Sequence, residues 1–166
     1  MSPRYFVLLA LLTLSAPATA EKLLPGTVLH VLDGDSLILD VRGGQYRVEL
    51  ADIDAPELNQ PWGRAARDWL GQALTGRFVV VRSSDVSPDG HIRGRLLFKN
   101  QDPGTTLLYQ GLAWCVPQPD GNAVSESREY RDAQTDARAA RRGLWSDASP
   151  VPPWEWRRQR PGSLGE

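Results

Sequence analysis

Five carboxylates crowd two short segments of this chain, and their spacing suits the holding of a hard cation. Asp52-Ile53-Asp54-Ala55-Pro56-Glu57 places three of them within six residues. Pro56 holds its own φ at about −65° and pushes Ala55 toward extended backbone, so the carboxylates leave the strand in set directions. Upstream, Asp33-Gly34-Asp35 makes a second acidic turn between the apolar runs His30-Val31-Leu32 and Leu37-Ile38-Leu39. If the strands bearing the two turns are neighbours, Asp35 and Asp54 converge on one divalent cation through oxygen ligands, with Glu57 a step away. Taken as structure alone, Asp-Gly is a hairpin signal and Asp-Ala-Pro-Glu a turn before a helix. Two such acidic turns in one small domain favour the chemical reading.

These turns need a scaffold. The segments 27–32, 36–41 and 45–50 are predicted strands, separated by turn chemistry at Asp33-Gly34 and Gly43-Gly44. In the third, Val48 and Leu50 alternate with Arg47 and Glu49, so one face is buried and the other looks outward. Residues 61–74 are predicted helical, with Ala66, Trp69, Leu70, Ala73 and Leu74 as a core-facing stripe and Gly76 as the stop. Further strands are expected at 77–81 and 95–99, joined through Ser87-Pro88-Asp89-Gly90. Five strands with a helix between the third and fourth is the order of an OB-fold barrel. A short helix at 105–110, capped near Asp102 or Thr105, a loop at 117–121 and a last helix over 125–142 complete an α+β domain with about three helices. His30 and His91 have no metal-ligand spacing around them, and serve as a strand residue and a turn residue.

The 166 residues suit one domain spanning 21–148. Residues 1–20 form a predicted signal peptide: Arg4, an apolar run from Tyr5 to Leu14, then Ala18-Thr19-Ala20 at the cleavage site. The protein is therefore expected to be secreted or periplasmic, with no stable membrane insertion after processing. The formal charge is −1, and loss of Arg4 with the leader makes the mature domain one unit more acidic. That is not the basic excess of a general nucleic-acid binder, although a local positive patch can still steer a polyanion. Cys115 is the only cysteine, which excludes an intramolecular disulfide and points to a buried thiol. Residues 149–166 form a Pro-, Trp- and Arg-rich tail, expected to be extended. It either wraps the domain through its tryptophans or stays loose.

Five motifs, in order, resemble the staphylococcal nuclease (thermonuclease) family. They are Val31-Leu32-Asp33-Gly34-Asp35-Ser36, Leu50 through Glu57, Gly94-Arg95-Leu96-Leu97, Gln110-Gly111-Leu112-Ala113-Trp114, and Ala139 to Gly143-Leu144-Trp145. The resemblance covers about 27–145. It implies one calcium ion held by Asp35, Asp54 and the backbone carbonyl of Ala55. It also implies Glu57 as the residue that orients or deprotonates the attacking water, and Arg95 as one of two arginines gripping the phosphate. Asp33 is expected to support the site from behind.

Glu49 stands where the family pattern has its first arginine, and so reverses a charge. Arg47, two residues earlier on the same strand face, is expected to reach toward the gap, and Arg93 and Pro117 stand where the family has aromatic residues near the substrate base. Arg47 and Arg93 are therefore the candidate substrate-binding residues. The expected function is that of a monomeric calcium-dependent nuclease cutting single-stranded DNA or RNA, weakened by Glu49. The alternative is a catalytically weak or inactive OB-fold module that binds single-stranded nucleic acid or protein. A calcium-binding envelope protein would use the same acids, with Glu49 as a further ligand.

Overall fold

In a computed structural model, which describes residues 22–87, 89–116 and 127–160, five strands close into a barrel in the order β1-β2-β3-β6-β5. β1 (Lys22–Val31), β2 (Ser36–Val41) and β3 (Gly44–Leu50) form an antiparallel meander. β5 (Phe78–Val86) pairs antiparallel with β1 and with β6 (His91–Leu97), and a parallel β3–β6 ladder closes the ring. The expected five-stranded α+β barrel is thus present.

Alternation fills the barrel. Val28, Leu37, Leu39, Val48, Leu50, Val79, Val81, Ile92 and Leu96 are all buried, while Arg47 and Glu49 stay exposed on the outer face of β3. α1 (Gly63–Leu74) adds Ala66, Leu70 and Leu74 to the core, and α2 (Pro103–Gln110) adds Leu107 and Leu108. α2 begins with Pro103 after an Asp102 cap, whose carboxylate accepts from the Gly104 N–H at 2.8 Å. α3 (Arg128–Ala139) starts at the cap Ser127 and buries Tyr130, Ala133 and Ala137. A small second sheet joins β4 (Ile53–Asp54) to β7 (Trp114–Cys115).

Several expectations change, among them the strand expected at 77–81, which is β5 and runs on to Val86. β1 starts at Lys22 and not at residue 27, because Lys22 to Thr27 pair with β5 before a bulge between Val28 and His30 shifts the register with β2. Pro25 is tolerated there because that half of β1 has β5 on one side only. β6 starts at His91, since Ile92 and Gly94 already point inward. Finally, the tail is not extended throughout: Pro153–Gln159 form a fourth helix, α4, with prolines at 152 and 153 setting its first turn. The leader at 1–20 and the loop at 117–121 lie outside the described residues, Pro117 among them.

Candidate active site

The two acidic turns do converge, because β2 and β3 are antiparallel neighbours and the chain enters β2 at the same end of the barrel at which it leaves β3. The Leu50 N–H donates to the Asp35 carbonyl at 2.8 Å, tying the end of β3 to the start of β2. The Ala55 N–H then donates to Asp35 Oδ2 at 2.6 Å across twenty residues of sequence. Gly34 allows this approach, since a Cβ there would lie 2.5 Å from the Ala55 Cβ and 2.6 Å from the Ala66 Cβ. Asp33 locks the turn from behind: its carboxylate accepts from the Asp35 N–H (3.0 Å), the Ser36 N–H (2.7 Å) and the Ser36 hydroxyl (2.6 Å).

A cleft of about 470 Å³ opens over these groups, and Asp33, Asp35, Arg47, Glu49, Asp54, Ala55, Glu57, Arg93 and Arg157 all line it. Six of the seven sequence-derived site residues (Asp35, Asp54, Ala55, Glu57, Arg47 and Arg93) therefore share one cavity. Arg95 is the exception. Its guanidinium donates to Asp52 Oδ2 at 3.0 Å and lies over the Tyr130 ring, 4.6 Å from the centroid, outside the cleft wall. Asp52 draws it there, from a left-handed backbone position (φ 65°) at the corner between β3 and β4.

The electrostatics are those of a crowded anionic site. Removal from water raises the carboxyl of Asp35 well above the usual range, and the neighbouring charge of Asp33 adds to this. Burial also raises Asp54, against the pull of Arg157. For Asp33 burial is outweighed by its hydrogen bonds, led by the Ser36 hydroxyl, and its pKa falls. Asp35 has no cationic partner among the described residues, and burial without one favours its uncharged form.

The donor set on offer is all oxygen, which suits a hard divalent ion. Among the described residues no cluster of three or more His, Cys, Asp or Glu side chains is built to hold a metal. Asp35, Asp54 and the Ala55 carbonyl could supply part of a coordination shell, with water and substrate completing it.

Arg157 was not foreseen. From α4, its Nη1 donates to Asp54 Oδ1 at 3.1 Å and to Glu57 Oε1 at 2.7 Å, while Nη2 donates to Asp54 Oδ2 at 2.7 Å. Its pKa rises, chiefly through the bond to Asp54. The tail takes the wrapped alternative. Trp154 meets Trp114 edge-on at 5.9 Å, Trp156 Nε1 donates to Asn59 at 3.1 Å, and Gln60 Nε2 donates to the Val151 carbonyl at 2.6 Å. The signal in the sequence was Trp154-Glu155-Trp156-Arg157, two rings flanking an acid and followed by a cation.

Comparison with known proteins places the chain in a family. The model of the family described as staphylococcal nuclease homologue matches residues 47–147. "Protein ParB" of Escherichia coli is 36% identical over 160 residues, covering 91% of this chain and 88% of its own. An "uncharacterized endonuclease" of Escherichia coli is 33% identical over 159 residues, covering 95% and 99%. A "micrococcal nuclease" of Shigella flexneri is 34% identical over 156 residues, covering 89% and 87%.

Proposed function

The chain belongs to the staphylococcal nuclease homologue family, and on that footing we propose that it hydrolyses phosphodiester bonds of DNA and RNA with the help of one calcium ion. The observation that carries this is the gathering of Asp35, Asp54, Ala55 and Glu57 around one cleft. Asp35, Asp54 and the Ala55 carbonyl would hold the ion. When bound, calcium supplies positive charge against a phosphate oxygen as negative charge builds there. Glu57 takes the proton from a water whose oxygen bonds to phosphorus, and the displaced ester oxygen leaves with a proton from solvent. Pro56 holds Glu57 in place, and the Glu57 N–H is tied to Gln60 Oε1 at 3.1 Å.

The same reading puts the enzyme outside the cytoplasm, as a secreted or periplasmic protein. Cleavage of single-stranded DNA by the purified protein is expected with calcium and not with chelator. Glu57→Gln is expected to lower the rate about 10²- to 10⁴-fold, the usual worth of a general base. Asp54→Ala is expected to weaken calcium binding in a calorimetric titration.

Glu49 favours a second reading, a nucleic-acid-binding barrel without useful catalysis, because its carboxylate lines the cleft that phosphate must enter. Retarded but intact DNA on a gel, with or without calcium, would establish that reading and overturn the first.

A further inference from the structure

We infer that Arg157 is a catalytic residue: its guanidinium, delivered from the tail, grips the phosphate in place of the arginine that Glu49 has displaced. This rests on the nuclease reading and deepens it.

Three observations carry the inference. The first is the hydrogen-bond inventory of the guanidinium. Arginine has five N–H donors arranged as two forks. The end fork, one N–H from each Nη, is spent on the two Asp54 oxygens, and the other Nη1–H goes to Glu57. The side fork, made by Nε–H and the remaining Nη2–H, has no partner among the described residues. That fork is spaced for two oxygens of a phosphate.

The second is how Arg157 is held. Trp114, which receives Trp154, is the β-ladder partner of Asp54. Asn59 and Gln60, which bind Trp156 and the Val151 carbonyl, follow Glu57 by two and three residues. The segments that place the two acids thus also place the arginine. A removable plug would not need anchoring on both, and a carboxylate such as Asp54 keeps lone pairs for a cation while accepting from arginine.

The third is the charge at the mouth of the cleft. Glu49 and Arg93 face each other across the β3–β6 ladder, so one positive charge there is offset by a negative one. Arg95 is committed to Asp52. Arg157 is the cation in direct hydrogen-bond contact with both Asp54 and Glu57.

The test uses the full mature chain and two readouts. With single-stranded DNA at saturating calcium, Arg157→Ala is expected to lower kcat roughly 10²- to 10³-fold, like loss of one preorganised donor to a transition-state oxyanion, with a smaller change in KM. Arg157→Lys, which keeps the charge without the fork, is expected to recover less than about a tenth of the wild-type rate. Adding Glu49→Arg to Arg157→Ala is expected to restore activity in part.

The second readout is calorimetric titration with thymidine 5′-monophosphate plus calcium, a ligand with no diester to cut. Arg157→Ala is expected to bind it about tenfold or more weakly. Thermal melts of each variant confirm a folded barrel. Equal or higher activity in Arg157→Ala would mean that the guanidinium merely fills the acidic cleft, and would overturn the inference. So would unchanged nucleotide binding, or failure of Glu49→Arg to rescue. A wild type that cuts nothing would sink the nuclease reading, while the nucleotide titration would still judge Arg157.

Discussion

Gly34 carries more of the site than its lack of a side chain suggests. It lets the Asp33-Gly34-Asp35 turn sit against Ala55 and Ala66, where a methyl group would overlap both. Gly34→Ala is expected to cost about 1–3 kcal/mol as an overpacked core substitution, measured by urea denaturation. It should also weaken calcium binding by moving Asp35 away from Asp54. Cys115 illustrates a different residue-scale effect. The thiol is 2% exposed and its Sγ lies 3.4 Å from the Tyr130 carbonyl. Burial pushes its pKa up to about 12. A raised thiol pKa keeps the group protonated at every pH below it, and the thiolate is the nucleophile. Iodoacetamide at pH 8 is therefore expected to leave the native protein unlabelled and to label it fully once denatured, as read by intact mass.

At the scale of elements, α4 carries the arginine that meets two acids of the cleft. Its seven residues are too few to hold a helix alone, so its stability comes from docking. Removing one ring of an aromatic pair costs about 0.5–1.5 kcal/mol beyond its area. Trp154→Ala should therefore lower the melting temperature modestly and kcat by less than Arg157→Ala does, since the helix loosens without losing its cation. This element also marks where sequence reasoning stopped. The barrel strands were legible because Val48-Glu49-Leu50 and its neighbours alternate with period two, and the acidic turns because Pro56 and Gly34 constrain their own backbone. The position of Arg157 depends on Trp114, Asn59 and Gln60, dozens of residues away, and no local pattern encodes such a meeting. The same reason hid Arg95's attachment to Asp52: strand alternation tells which face a side chain leaves from, not which acid captures it.

At the scale of the whole molecule, the charge is close to balanced, so attraction for a polyanion has to be local to the cleft and its arginines. Among the described residues no helix is long and apolar enough to cross a membrane. Processing after Ala20 is expected, and intact mass of protein from the cell envelope checks it; a species still carrying Met1 or Arg4 would be inconsistent with a cleaved leader.

Arg157 reaches Asp54 across 103 residues of sequence. Ribosomes build chains from the amino end, so the barrel, both acidic turns and Glu57 emerge well before the cation that joins them. A growing chain therefore passes through a stage in which both acids have been made but the ion pairs that Arg157 forms with Asp54 and Glu57 have not.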